Sequence, residues 1–153
     1  MAAAALWLAA DPAPVRQPLP FSHKTHAGVG LKCADCHASP DPGELMTFPA
    51  TAKCMSCHML IAKDKPAIVQ LAAHARAKSP VPWVRVYQIP SYVFFSHRVH
   101  MESGAKCESC HGPVAEREVL AKEKDISMGA CMTCHRQNKA SLDCNYCHDA
   151  RQP

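Results

Sequence analysis

Large side chains are scarce in this chain. Of its 153 residues only 6 % are aromatic, with 2 Trp, 3 Tyr and 4 Phe. A chain of this length builds one domain or two very small ones, and so few bulky groups do not fill an ordinary hydrophobic core. Long apolar runs are missing as well. No stretch approaches the ~20 residues that a membrane-crossing helix needs, so no transmembrane span is expected. Unpaired cysteine is the third absence. The 10 cysteines fall into five C-x-x-C pairs, which leaves none for a further structural disulfide or a lone nucleophile. A strong charge of either sign is also lacking: Lys and Arg number 17 against 13 Asp and Glu, for a formal charge of +4.

Histidine follows every one of those pairs. The pattern C-x-x-C-H occurs at Cys33, Cys36 and His37, at Cys54, Cys57 and His58, at Cys107, Cys110 and His111, at Cys131, Cys134 and His135, and at Cys144, Cys147 and His148. It is the attachment motif of c-type haem. Two thiols at this spacing reach the two vinyl groups on one edge of a porphyrin and form thioethers. The next residue is then held under the ring, where its imidazole binds iron. Paired C-x-x-C motifs also make zinc sites, and a single one makes a redox dithiol. A zinc reading does not explain the histidine after every second cysteine, and a dithiol reading does not explain five copies. Five covalently bound haem c groups are therefore expected, with the porphyrins supplying the missing apolar bulk. Without them the chain should be largely unfolded, because small domains need covalent or metal staples.

Haem changes the meaning of the charge and sets the compartment. Ten propionates and five ferric cores would bring the holoprotein to about −1 oxidised and about −6 reduced. The basic pI of 8.5 is thus no argument for nucleic acid. Lys24, Lys32, Lys53 and Lys106 lie near the motifs and can offset propionates, although any one of them also reads as a solvated surface lysine. Haem c is attached outside the cytoplasm, so a periplasmic or extracellular location is expected. Residues 1–10 (MAAAALWLAA) look like the tail of a signal segment, without a positive n-region and with a poor cleavage site.

Along the chain, residues 1–20 read as signal remnant and proline-rich leader. Residues 21–79 read as a two-haem module and residues 80–153 as a three-haem module, packed as one compact unit or as two small ones. A helix is predicted over 64–78, capped by Asp64 with Pro66 in its first turn and carrying His74 on the face of Gln70 and Leu71. Residues 83–87 (WVRVY) and 91–95 (SYVFF) alternate like the strands of a small hairpin. A short charged helix is predicted over 114–123 and a loop over 125–130. The fold expected is mostly α-helical and irregular, with little secondary structure, short helices, one small β-hairpin and haems as the core.

An internal repeat links the halves. Residues 21–37 (FSHKTHAGVGLKCADCH) align without gaps to residues 95–111 (FSHRVHMESGAKCESCH), and nine of 17 positions are identical. Of the 10 histidines, five lie outside the motifs: His23, His26, His74, His97 and His100. Five motifs and five spare histidines suggest two imidazoles on every iron. Methionine is also a haem ligand, and Met46, Met55, Met59, Met101, Met128 and Met132 are alternatives.

F-S-H-x-x-H ahead of C-x-x-C-H resembles the class III multihaem cytochromes, the c3 and c7 group, over about residues 18–149. The resemblance implies that the first histidine binds the haem of the following motif and the second binds the next haem along. His23 would then pair with His37, His26 with His58, His97 with His111 and His100 with His135, leaving His74 for His148 across the halves. Residues 82–100 (PWVRVYQIPSYVFFSHRVH) are similar to the pentahaem subunit of alternative complex III. That implies a quinol-oxidising membrane complex as one partner, although no run here matches that subunit's membrane anchor.

These features imply a low-potential electron carrier rather than an enzyme. Two imidazoles fill both axial positions of an iron, and they hold a lower potential than a Met/His pair. Electrons would hop between closely spaced, electrically coupled haems, exchanging with redox partner proteins. Two other classes remain. A reductase would need one open haem, which the loss of His74 would create at His148. A subunit or filament protomer would need a contact surface. Trp83, Tyr87, Tyr92 and Phe94 offer one unless they pack on haem faces, the reading this composition favours.

Overall fold

A computed structural model describes residues 14–148. The signal remnant at 1–10, the first part of the proline-rich leader and the tail at 149–153 lie outside the described residues. The described chain is eight short helices and one 3-10 turn joined by irregular segments. They are α1 (His23–Gly28), α2 (Cys33–Cys36), α3 (Thr51–His58), α4 (Pro66–Arg76), α5 (His97–Glu102), α6 (Cys107–His111), the 3-10 turn Val114–Glu116, α7 (Met128–Gln137) and α8 (Cys144–His148). Every C-x-x-C-H motif lies in or at the end of a helical turn. Helical spacing of three places both thiols on one side.

The repeat is visible in the backbone. Ser22 caps α1 by accepting from the Thr25 amide at 2.9 Å, and Ser96 caps α5 by accepting from the Val99 amide at 3.3 Å. A serine hydroxyl here satisfies one of the amides that a helix start leaves unpaired. Each of these helices then gives way to a glycine in the left-handed region, Gly30 at φ 90° and Gly104 at φ 89°. Side chains rarely adopt that conformation, so the turn needs the glycine that the two halves share.

The helix carrying His74 is shorter than predicted. Pro66 disfavours the helical conformation at the residue before it. Lys65 is accordingly extended, at ψ 137°, and the cap falls there, with no side-chain cap from Asp64. At the other end Lys78 turns left-handed at φ 51°.

The predicted hairpin is not formed. No strand occurs among the described residues, and 83–87 and 91–95 are irregular. Their hydrogen bonds go elsewhere. The Gln17 side chain accepts from the Val84 amide at 3.0 Å and donates to its carbonyl at 2.8 Å. The Phe94 amide donates to the Cys147 carbonyl at 2.7 Å. Pro82 and Pro90 lack the amides a ladder needs. The helix predicted over 114–123 is reduced to the 3-10 turn. Arg117 is extended beyond it and holds Glu123 through two hydrogen bonds of 2.6 and 2.8 Å. The loop predicted over 125–130 is cut short by α7, which Ser127 caps.

The protein's own core is very small. Leu19, Leu71 and Val81 are the only buried apolar residues among those described, with Cys54, Met55, Ile68 and Trp83 packed against them. The chain exposes 11944 Å², whereas a compact protein of 16.7 kDa exposes about 7,600 Å². Protein atoms alone do not close this fold, as the scarcity of large side chains implied.

Contacts run between the two halves. α1 packs against the 3-10 turn of the second half, and the Lys24 amide donates to the Arg117 carbonyl at 3.0 Å. In the opposite direction, Arg98 pairs with Asp41 at 2.6 Å and its amide donates to the Gly43 carbonyl at 3.1 Å. Arg85 in the linker lies over the Phe48 ring at 5.0 Å and donates to the Met46 carbonyl.

Candidate haem-binding site

Four pairs of histidine rings face each other across a nearly constant gap. His23 and His37 are 6.4 Å apart between ring centroids, His97 and His111 6.4 Å, His26 and His58 6.1 Å, and His100 and His135 6.0 Å. This is too wide for ring contact. It suits one metal ion in between: two metal–imidazole bonds of about 2 Å plus the half-widths of two rings come to about 6 Å.

The imidazoles are also oriented. A carbonyl only accepts, so a ring nitrogen bonded to one must carry the hydrogen, and the other nitrogen keeps its lone pair. His26 Nδ1 donates to the Ser22 carbonyl at 2.7 Å, His37 to Thr47 at 2.8 Å, His58 to Ile61 at 3.0 Å, His97 to Glu44 at 2.6 Å, His100 to Ser96 at 2.7 Å and His135 to Ser141 at 2.7 Å. Nε2 is therefore the free donor atom in all six. Burial, with His37 and His26 beside it, pushes His23 down to about 4. His111 is also lowered by burial and by His97 and His37. Both are thereby kept neutral, the form that binds a metal.

Phenylalanine braces each leading histidine pair. Phe21 stacks on His26 at 4.4 Å and meets His23 edge-on at 4.8 Å. Phe95 does the same to His100 at 4.4 Å and His97 at 4.8 Å. The shared F-S-H-x-x-H thus encodes a clamp and a cap together. Tyr87 meets the His111 ring edge-on at 4.7 Å, and its hydroxyl donates to the His111 carbonyl and accepts from the Glu123 amide at 2.9 Å.

Thiols of different motifs lie near one another. Burial raises Cys54, and the neighbouring Cys36 raises it further. Cys107 is raised by burial and by Cys33 beside it. Cys110 is raised by burial and by Cys134, and Cys131 by burial, Cys110 and Cys147. Each of these thiols therefore has a thiol of another motif near it. Hydrogen bonds also link the halves: the segment 38–47 holds His37 through Thr47 and His97 through Glu44.

Two histidines are not brought together. His74 and His148 form no ring pair with each other, and neither faces another histidine at the spacing of the four pairs, among the described residues. The His74 Nδ1 lies 3.2 Å from the Ser79 hydroxyl. The His148 Nδ1 donates to the Tyr92 carbonyl at 3.3 Å. The carbonyls of Glu44, Thr47, Ile61, Ser141 and Tyr92 are not foreseeable from sequence, since any residue supplies a carbonyl. Phe21 and Phe95 are, from their place in the repeat.

The residues fit haem better than a bare ion. No group of three or more His, Cys, Asp or Glu disposed to hold a metal occurs among the described residues, whereas structural zinc takes four ligands. The facing imidazoles, with the thiol pair of a motif alongside, would hold a haem and its iron.

Comparison with known proteins agrees with this geometry. The class III cytochrome c family matches residues 8–87, more than half of the chain. The family of cytochrome c7 and related cytochrome c matches residues 93–150. No curated protein matches the chain. No helix among the described residues is long and apolar enough to cross a membrane. The chain belongs to the class III cytochrome c family and is a multihaem c-type electron-transfer protein with covalently bound haem c.

Proposed function

We propose that this chain is a pentahaem electron wire of the periplasm or cell exterior, with a two-haem module over 21–79 and a three-haem module over 80–153. The observation that carries this reading is the set of four histidine pairs at 6.0–6.4 Å. Bound haem c supplies a one-electron iron couple at each motif. Cys33 and Cys36, Cys54 and Cys57, Cys107 and Cys110, Cys131 and Cys134, and Cys144 and Cys147 hold the five rings. His37, His58, His111, His135 and His148 would each ligate the haem iron of their own motif. His23, His26, His97 and His100 would supply a second imidazole to four of the haems, which would then have no position for a substrate. Carbonyl-anchored imidazoles stay in place whichever redox state they ligate, which keeps reorganisation small.

In this reading the thiol neighbours set the sequence of the wire. Its ends are the second motif, on α3, and the fifth, on α8; the first and third meet in the middle, where contacts run between the two halves. Redox partner proteins would dock at those ends. The similarity of 82–100 to a subunit of a quinol-oxidising complex supports a second reading, in which one of those partners is a neighbouring subunit of a larger assembly. An open iron at His148 would instead support a reductase, and only the unpaired state of His148 favours it.

Ring angles make the proposal testable. Parallel imidazoles split the iron d orbitals, and crossed ones leave them nearly degenerate, so the two classes differ in low-spin EPR. His23/His37 and His97/His111 are at 10°, His100/His135 at 40° and His26/His58 at 63°. Intact mass should show five haems. EPR of the oxidised holoprotein should show two rhombic low-spin centres and one strongly anisotropic centre, from the pair at 63°. Fewer haems, or high-spin signals from the paired sites, would defeat the reading.

A further inference from the structure

Four histidine pairs close within one chain, and one imidazole remains on α4 and one on α8. His74 lies on α4, which packs on α3, the helix of the second motif. His148 lies on α8, tied by the Cys147 carbonyl to Phe94 and by its own ring to the Tyr92 carbonyl. Neither ring is among the four facing pairs.

His74 has the marks of a ligand without its metal. The His74 Nδ1 lies 3.2 Å from the Ser79 hydroxyl, and in the tautomer that donates there Nε2 keeps a free lone pair. The six closed-pair rings anchored on carbonyls have the same tautomer. The surroundings are open: a depression of about 460 Å³ is lined by Gln70, Ala73, His74, Ala77 and Ser79. Gln70 and Ala77 stand four and three residues from His74, Ala73 is its chain neighbour, and the two alanines leave a flat approach. At His148 the Tyr92 carbonyl occupies the Nδ1 side, which leaves Nε2 for iron and the far side of that iron without a histidine of this chain.

We propose that His74 of one copy supplies the sixth ligand to the iron held by His148 of the next copy. The proposal rests on the haem reading above. Donor and acceptor sit on different elements, α4 and α8, so one such contact joins unlike surfaces. Repeated head to tail without ring closure it generates a filament, with the fifth motif of one copy beside α4 of its neighbour. No new bond to the chain is needed; one Nε2–iron coordinate bond forms and no electron is transferred.

The test uses the holoprotein at rising concentration, by sedimentation velocity and by carbon monoxide binding after reduction, for wild type and His74→Ala. Alanine on this open helix face should preserve the fold, and retained EPR of the four paired centres checks it. Wild type should form a growing series of oligomers that bind little carbon monoxide. The variant should stay monomeric, with about one haem in five binding carbon monoxide. Free imidazole should restore its low-spin state without restoring assembly, which a merely structural role for His74 would not give. Three results would overturn the proposal: a wild-type monomer with one carbon monoxide-binding haem, a wild-type monomer with five low-spin haems, or oligomers that survive His74→Ala. Loss of the four paired low-spin signals would instead indict the haem reading itself.

Discussion

Residues 21–58 and 95–135 are two versions of one unit. Each opens with Phe-Ser-His, caps a short helix with the serine, stacks the phenylalanine on the second histidine and turns at a left-handed glycine. Their first histidine pairs match in spacing and angle, at 6.4 Å and 10°. The two units differ in their C-terminal extensions. The first continues into α4 with His74, and the second into α8 with a fifth motif. All closed pairs lie in the duplicated part, and both unpaired histidines lie in the unmatched additions. The duplication thus accounts for the four closed pairs. The additions account for the two histidines that are left over.

The largest effect should come from removing a ring at the centre rather than at an end. A porphyrin that buries roughly 400 Å² of apolar surface contributes about 10 kcal/mol, as much as the 5–15 kcal/mol or so that holds an ordinary domain together. Cys107→Ala with Cys110→Ala takes away the third motif, which touches both the first and the fourth. Little folded holoprotein is expected. Cys144→Ala with Cys147→Ala takes away an end, and a four-haem protein that melts cooperatively should remain. Haem stoichiometry by mass and helix content by circular dichroism distinguish the two. Equal damage from both would mean that the fifth motif is as central as the third.

The chemistry of attachment is why so much is legible in the sequence. Thioether bonds at two vinyl positions impose a spacing that no packing preference blurs, and the duplicated Phe-Ser-His makes four ligands readable by repetition. A further likeness, Cys-Met-Ser-Cys-His at 54–58 against Cys-Met-Thr-Cys-His at 131–135, extends the repeat to the second motif of each half. The carbonyls that aim the imidazoles are not legible, because Glu44 or Thr47 acts there through a group every residue has. The hairpin expectation fails because alternation over 83–87 records which half each side chain meets. Trp83 lies toward Phe21 at 6.1 Å and Tyr87 toward His111, while Gln17 takes the Val84 backbone that a partner strand would have used. Histidine counting pairs His74 with His148 by elimination, which holds only if every ligand comes from the same chain.

A smaller effect compares the second pair of each unit. His26→Met and His100→Met replace an imidazole by a thioether, and methionine ligation raises the potential. Shifts on the order of 100 mV are expected, within the span that axial ligands control. The two variants should shift one centre each by similar amounts, read by spectroelectrochemical titration. Removal of His26 should also abolish the most anisotropic EPR signal, because its pair is crossed at 63° and that of His100 at 40°. If His100→Met removes that signal instead, the assignment of the second pairs is reversed.

The smallest effect concerns a tie between the two units, that of Gly43 with Arg98. Gly43 has φ +93°, and a Cβ there would meet the Arg98 Cβ at 2.7 Å. Its carbonyl accepts from the Arg98 amide at 3.1 Å and from the Ser96 hydroxyl at 3.3 Å, and the next carbonyl, that of Glu44, aims His97. Gly30 and Gly104 are left-handed too, but a Cβ there meets nothing within 4 Å. Gly104→Ala should therefore cost only the backbone strain, about 1 kcal/mol. Gly43→Ala adds a clash with a side-chain base that cannot swing away, and should cost about 2–3 kcal/mol, measured by denaturant unfolding of the holoprotein. The excess at Gly43 should come with a changed potential at the centre ligated by His97, since the strained backbone is the one that holds its ring. Equal costs at the two glycines would mean that the segment 38–47 yields easily and that the central junction is held by the rings alone.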